Sequence, residues 1–167
     1  SDLGQRVTAR WPRATLIVTE KVLSALAETV TPQGVVAVLP YPQIGMPPTL
    51  TLTLLVDGVR DPGNLGTLLR TAWAAGVEAI LLAPESVDAF NAKVVRAALG
   101  AHFHLPIISE TWAAIARRAA GMQVVLADGR GERVHTEVDW TFPTMLIVGG
   151  EARGAGVNAA RLATVRA

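Results

Sequence analysis

Leu50–Ala75 reads LTLTLLVDGVRDPGNLGTLLRTAWAA and decides the fold. Its apolar run, Leu50–Val56, predicts a β-strand that leads into a polar, glycine-containing loop. Pro62–Ala75 then predicts a helix, because Asp61 is a good N-cap and proline is favoured at the first helical position. A strand followed at once by a helix is the repeating unit of parallel α/β sheets.

The same alternation continues towards the C-terminus. The apolar runs are continuous rather than alternating, as in strands that are covered on both faces. We therefore predict an α/β fold with a parallel sheet flanked by helices, in which ligands bind at the carboxyl ends of the strands. The further predicted elements are strands at Ala79–Ala83, His104–Ile108, Gln123–Ala127 and Thr144–Val148 and helices at Ala89–Leu99 and Glu110–Ala120.

The first forty residues form a separate segment. Thr15–Thr19 and Gly34–Leu39 predict strands, and Glu20–Thr29 predicts a short amphipathic helix. Four prolines between Pro40 and Pro48 exclude a helix and predict an extended linker. The expected boundaries are a partial domain over residues 1–40, a linker over 41–49 and a main domain over 50–167.

Composition limits the possible classes of protein. Half of the 167 residues are apolar and 17% are charged, so the chain can bury a core. No apolar run approaches the roughly 18 residues of a membrane helix, and the start does not resemble a signal peptide, so a cytoplasmic location is expected. The absence of cysteine excludes disulfides and thiolate metal sites. A net charge of +1 is weaker than that of a purely electrostatic nucleic-acid binder.

The loop and helix after the first main-domain strand allow two interpretations. A capped helix explains Asp61 and Pro62, but it does not explain glycines at 63 and 66, each of which costs about 1 kcal/mol in a helix. Glycine at these positions lets a backbone or a ligand approach closely. Asn64 and Arg70 are the candidate site residues here, since an arginine among apolar neighbours needs an anionic partner or a site.

Two other segments carry candidate residues. Val148–Gly156 places two glycines and a carboxylate after a buried strand, which predicts either a plain turn or bare backbone against a ligand. It contains neither of the glycine motifs of dinucleotide and nucleoside-triphosphate sites. In Asn91–His104, Lys93 and Arg96 share a helix face and either hold phosphate or are simply solvated. His102 and His104 have a spacing that suggests a metal only weakly, because no carboxylate cluster accompanies them.

Asp57–Gly76, Asn91–Pro106 and Val148–Gly156 together resemble the motifs of the SpoU/TrmH (SPOUT) RNA 2′-O-ribose methyltransferases, in order and in spacing. The resemblance implies a methyl transfer from S-adenosylmethionine to a ribose hydroxyl of RNA, most simply 23S rRNA. It also implies a C-terminal trefoil knot and a homodimer. No metal is expected, because the sequence shows no cluster of carboxylate and histidine ligands. Thr31–Val38 resembles the end of the L30e-like RNA-binding domain of rRNA-modifying members, which favours rRNA over tRNA.

The resemblance also assigns roles to residues of this sequence. Arg70 corresponds to the residue that activates the ribose 2′-hydroxyl; since arginine stays protonated, orienting a phosphate and stabilising the alkoxide is the alternative role. The implied catalytic residues are Asn64, Arg70 and Glu151. The implied cofactor-binding residues are Ala127, Asp128, Gly129, Val148, Gly149 and Gly150. The candidate RNA contacts are Arg60, Lys93, Arg96 and Arg153.

The family's third motif does not follow Arg161–Arg166, so we expect an incomplete knot and an incomplete cofactor site in these 167 residues. Two alternatives to an rRNA methyltransferase stay open. One is a tRNA 2′-O-methyltransferase, and the other is an RNA-binding module that keeps the fold without the chemistry.

Overall fold

The computed structural model describes residues 2–27, 29, 32–131 and 133–167. It divides into two compact units, residues 1–41 and 42–167. The helices are α1 Asp2–Arg10, α2 Glu20–Leu26, α3 Pro62–Ala74, α4 Ala92–Ala97, α5 Trp112–Ala119 and α6 Val157–Leu162. The strands are β1 Leu52–Asp57, β2 Ala79–Leu82, β3 Ile107–Ser109, β4 Gln123–Leu126, β5 Thr144–Gly149 and β6 Val165–Arg166.

The first unit contains α1, α2 and a 3₁₀ turn at Pro12–Ala14. The strands predicted at Thr15–Thr19 and Gly34–Leu39 are wrong, because neither segment pairs with another backbone in the described part of this unit. Leu16, Ile17 and Val38 are between 88% and 94% exposed, so the apolar residues that suggested strands are not covered. Thr31 lies outside the described residues, and the assignment of this unit to an L30e-like domain stays a prediction.

The second unit contains a six-stranded parallel sheet with the strand order β3-β2-β1-β5-β4-β6. This confirms the predicted α/β class. The central strand β1 pairs with β2 on one side and with β5 on the other. Its residues from Thr53 to Asp57 are all buried, which explains why the apolar run shows no polar alternation.

The core has two parts, one on each face of the sheet. Leu54 and Val56 of β1 belong to one cluster, together with Leu65 and Leu69 of α3. Leu55, between them, belongs to the other cluster. Successive side chains of a strand point to opposite faces, so the continuous apolar runs supply both layers. The second cluster also contains Ile115 of α5, Ala159 of α6 and Met145 and Ile147 of β5.

Several elements are shorter than predicted or were not predicted. The helix expected over Ala89–Leu99 is α4, which is only six residues long because Asn91 caps its start and Leu99 has a positive φ of 48°. The strand expected at His104–Ile108 begins only at Ile107, since His104 follows a 3₁₀ turn. Helices α1 and α6 and strand β6 were not predicted from the sequence. None of the helices in the described ranges is long and apolar enough to cross a membrane.

Gly66 has a packing role within this fold. A Cβ at this position would overlap the Ala97 Cβ and would lie 2.8 Å from the Val94 carbonyl oxygen of α4. The glycine therefore lets α3 and α4 approach closely. The sequence left open whether a backbone or a ligand comes close to this glycine, and at Gly66 it is a backbone.

Candidate active site

The candidate site lies at the carboxyl ends of β1, β5 and β4, which are neighbours in the sheet. The last residue of β1, Asp57, pairs in register with Gly149, the last residue of β5. The loops that follow these two strands therefore start side by side. This is the edge at which parallel α/β sheets bind ligands.

Asn64 and Glu151 meet at this edge, although they are 87 residues apart in sequence. The Asn64 side-chain amide donates a 2.7 Å hydrogen bond to Glu151 Oε1. Asn64 is held in the first turn of α3, because Asp61 Oδ1 accepts a hydrogen bond from its backbone amide at 2.9 Å. Both side chains are on exposed residues, so a substrate can reach them.

The glycines after β5 are required by the chain itself. A Cβ on Gly149 would overlap the backbone of Gly154 and Ala155, and one on Gly150 would lie 2.5 Å from the Gly58 carbonyl oxygen. The Gly154 amide also donates to the Gly150 carbonyl at 2.8 Å, which closes a tight loop around Glu151. The close approach expected from these glycines is therefore made by protein backbone.

Asp57 is a site residue that sequence reasoning missed. It is buried, with 8% of its surface exposed, and its Oδ2 accepts a 2.6 Å hydrogen bond from the Gly156 backbone amide. The only signal in the sequence was a carboxylate directly after an apolar run. That position does not reveal a partner 99 residues away.

Arg70 does not join the Asn64–Glu151 pair. It lies exposed on α3 and makes no hydrogen bond or ion pair within residues 2–27, 29, 32–131 and 133–167. The apolar setting inferred from its sequence neighbours does not bury it, since Leu69 points into the core while Arg70 points to solvent. Its guanidinium is available to an external anion.

The second predicted cofactor segment follows β4. The Ala127 amide donates to the Ile147 carbonyl of β5 at 2.9 Å, so Ala127–Gly129 lies beside the end of β5. The Arg130 backbone amide lowers the pKa of Asp128, with a smaller contribution from the Arg130 guanidinium, so this carboxyl is ionised at neutral pH. A Cβ on Gly129 would meet open space. The Asp128 amide donates to the Ala167 carbonyl at 2.9 Å, which joins this loop to the end of β6.

A cavity of about 370 Å³ adjoins that junction. This volume lies within the range of small-molecule sites, roughly 300–1,000 Å³. Gly131 of the same loop packs against the backbone of Arg166 and Ala167. The cavity is lined by Arg133, Ala163, Thr164, Val165 and Arg166.

The candidate RNA contacts differ in their surroundings. Arg60 Nη2 donates to Glu85 Oε2 at 2.5 Å, and Lys93 Nζ lies 3.9 Å from Asp61 Oδ2. Both ion pairs are exposed, so each is worth at most about 1 kcal/mol and a phosphate can compete for the cation. Arg96 and Arg153 are exposed as well.

The two histidines have separate environments. His102 is buried, and its Nε2 lies 2.7 Å from the Ala89 carbonyl oxygen. His104 stacks on Trp73 with ring centroids 4.1 Å apart. No group of three or more histidine, cysteine, aspartate or glutamate side chains suited to a metal occurs among the described residues.

Comparison with known families identifies this arrangement. The sequence model of the SpoU rRNA Methylase family matches residues 51–166, which include β1 to β6 and both halves of the Asn64–Glu151 pair. The chain belongs to this family. The motif resemblance seen in the sequence is thereby confirmed.

Individual relatives and solved structures support the same family. The chain is 40% identical over 148 residues to the 23S rRNA (guanosine(2553)-2′-O)-methyltransferase RlmP of Bacillus subtilis, covering 87% of this chain and 58% of that protein. A crystal structure of an rRNA methyltransferase from Sinorhizobium meliloti matches with a TM-score of 0.78 at 35% identity, over 99% of this chain and 68% of that one. Its AdoMet-bound form matches with a TM-score of 0.77 at 35% identity, over 97% and 66%. The chain spans little more than half the length of the Bacillus relative.

Proposed function

We propose that this protein transfers a methyl group from S-adenosylmethionine to a ribose 2′-hydroxyl of RNA, and that its substrate is 23S rRNA. The observation that carries the proposal is the Asn64–Glu151 hydrogen bond at the carboxyl edge of a SpoU-family sheet. It joins the first and the last of the three segments that carry the family resemblance. The rRNA substrate is supported by the Bacillus relative, which is named as a 23S rRNA methyltransferase.

The residues of the loops after β4 and β5 fit one side of the cofactor. Ala127 and Gly129 are exposed, and the space beside Gly129 is open, so a flat ring can lie against that loop. The ionised Asp128 carboxylate can accept a hydrogen bond from a hydroxyl or an ammonium group. Val148 and Gly149 end the adjacent strand β5, and Gly150 follows it directly.

S-adenosylmethionine supplies, when bound, a methyl group already activated by the positive sulfonium. The task left to the protein is to hold the ribose hydroxyl in line and to stabilise its developing negative charge. We propose that Glu151, which uses Oε1 to hold Asn64, offers its second oxygen to the hydroxyl proton. An arginine side chain offers hydrogen-bond donors and no acceptor, so we propose that the Arg70 guanidinium binds an anion, either the RNA phosphate or the alkoxide.

Arg60 and Arg153 lie in the loops after β1 and β5, and Lys93 pairs with Asp61 at the start of α3. We propose that Arg60, Lys93, Arg96 and Arg153 contact phosphates of the RNA. Such contacts make affinity fall steeply with salt, so binding should weaken measurably between low and physiological ionic strength.

Assembly and location complete the proposal. Homodimer formation follows from the family resemblance and is supported by large apolar side chains that the single chain leaves exposed, including Trp73, Leu99 and Phe103. A molar mass of twice the chain mass by light scattering is expected.

A protein acting on bacterial-type rRNA works where that RNA is made, so we propose the cytoplasm. The trefoil knot and the L30e-like identity of the first unit also stay proposals.

Methyl transfer is tested with S-adenosylmethionine labelled in the methyl group and ribosomal RNA. The expected product resists alkali as a dinucleotide, because a 2′-O-methyl group blocks cleavage at that ribose. Label on a base would contradict the ribose assignment. Efficient labelling of tRNA but not of rRNA would support the tRNA alternative, for which solved tRNA-modifying neighbours exist at 25% and 28% identity. RNA binding without calorimetric binding of the cofactor would support the non-catalytic module.

A further inference from the structure

Asp57 is the one carboxylate buried among the residues that the structure describes. No ion pair to a lysine, arginine or histidine neutralises it within that part of the chain. Burying a carboxylate costs free energy unless the group is well hydrogen-bonded. The burial of Asp57 therefore directs attention to its one strong hydrogen bond. That contact is the 2.6 Å hydrogen bond that it accepts from the Gly156 amide.

Asp57 connects the end of β1 to the far end of the loop that carries Glu151. Residues 150–156 leave β5 at Gly149, which pairs with Asp57 itself, and enter α6 after Gly156. Gly150 packs on the Gly58 carbonyl, so the start of the loop is fixed by backbone contact. The hydrogen bond from the Gly156 amide to the Asp57 carboxylate holds the end of the loop.

We propose that Asp57 is a positioning residue, which acts through the 150–156 loop to keep Glu151 against Asn64. This inference rests on the proposed function. Glu151 is exposed, and its hydrogen bond to Asn64 Nδ2 is its only contact of that kind in the described part of the chain. The Gly154–Gly150 backbone hydrogen bond closes the loop on itself but does not tie its end to β1, and the single bond to Asn64 cannot do so either, because the backbone entropy of released residues favours motion. The buried anchor at Gly156 limits that motion.

The alternative is that Asp57 only stabilises the start of α6. Steady-state kinetics of methyl transfer distinguish these two roles of Asp57. Asp57→Ala in the intact protein should lower kcat for methyl transfer by about tenfold or more, since small misplacements of catalytic groups have effects of that size, while KM for S-adenosylmethionine stays nearly constant. Asp57→Asn keeps an acceptor oxygen and should restore most of kcat. Asp139→Asn is the matched control, because within the residues that the structure describes that exposed carboxylate hydrogen-bonds only to Thr141, and the change should leave kcat unchanged.

A double-mutant cycle with Glu151→Gln decides whether Asp57 acts through Glu151. Residues that act as a unit are non-additive, so adding Asp57→Ala to Glu151→Gln should cause little further loss of kcat. Additive losses, or a wild-type kcat for Asp57→Ala, would overturn the proposal.

Hydrogen exchange in the wild-type protein tests the anchor without any variant, which covers the case that Asp57→Ala does not fold. The Gly156 amide should exchange slowly, and fast exchange would also overturn the proposal. Absence of methyl transfer by the wild-type protein would instead refute the proposed function, and the exchange rate at Gly156 would still report on the anchor.

Discussion

Gly66→Ala provides a quantitative test of the packing beneath the candidate site. An alanine in the middle of an exposed helix normally gains about 1 kcal/mol over glycine. At this position the new methyl group would overlap the Ala97 Cβ and lie 2.8 Å from the Val94 carbonyl oxygen and 3.1 Å from the Ala97 carbonyl carbon. Backbone atoms cannot rotate away as a side-chain tip can, so α3 and α4 must separate.

The expected net effect is a loss of stability. Forcing an extra methyl group into a tight contact costs about 1–3 kcal/mol, and the close backbone contacts favour the upper half of that range. After the gain in helix propensity is subtracted, Gly66→Ala should lower the free energy of unfolding by about 1–2 kcal/mol. Urea denaturation followed by circular dichroism measures this as a lower midpoint with an unchanged slope.

Ala97→Gly supplies the matched partner for this test. Alone it should destabilise α4 by about 1 kcal/mol, because it introduces a glycine into a helix. Combined with Gly66→Ala it removes the nearest of the overlapping atoms, so the double variant should be more stable than the sum of the two losses predicts. Strict additivity, or a Gly66→Ala variant more stable than the wild type, would refute the close-packing explanation of Gly66.

Two further predictions concern charged residues. Arg118 holds Glu110 in a bidentate ion pair, and this hydrogen bonding lowers the pKa of Glu110, so the contribution to stability is complete above the ordinary glutamate pKa and is lost as the pH falls through the lowered value. Arg118→Ala should therefore lower the free energy of unfolding by about 1 kcal/mol at pH 7 and by progressively less as the pH falls below the ordinary glutamate pKa, and a loss that does not change with pH would contradict the pairing. Arg70→Ala should abolish methyl transfer while changing stability by less than about 0.5 kcal/mol, because Arg70 is exposed and unpaired in the described chain. Arg117→Ala on α5 is its control and should retain activity, whereas wild-type activity of Arg70→Ala would remove Arg70 from the mechanism.

The sheet was predictable because its strands are covered on both faces. Continuous apolar runs such as Leu52–Val56 leave little ambiguity, and the strand-to-helix alternation fixes the parallel class. In the first unit the same kind of run, Leu16–Val18, was misleading. Apolar composition alone does not make a strand, since the backbone also needs a neighbour with which to exchange hydrogen bonds.

The candidate site was predictable only in part. Asn64 and Glu151 were singled out in their own segments, the motif resemblance placed them in one pocket, and the structure brings them within hydrogen-bond distance. The Asp57–Gly156 bond could not be predicted, because the order of strands in the sheet, and not the spacing in sequence, brings its two ends together. Gly149 and Gly150 were predicted to form either a plain turn or a surface for a ligand, and a Cβ on either would meet protein backbone, at Gly154 and Ala155 or at Gly58.

The position of β1 in the sheet has a consequence for how the protein is made. Leu52 pairs with Thr144, so one edge of β1 has no partner until most of the second unit has left the ribosome. Pairings between distant segments slow folding, because the chain between them must lose entropy before the contact is gained. During synthesis the nascent β1 edge, with its unpaired amides and carbonyls, resembles the open edges that promote aggregation. We expect refolding of the isolated protein to be slow and sensitive to concentration, and nascent chains that end before β5 to need chaperone protection.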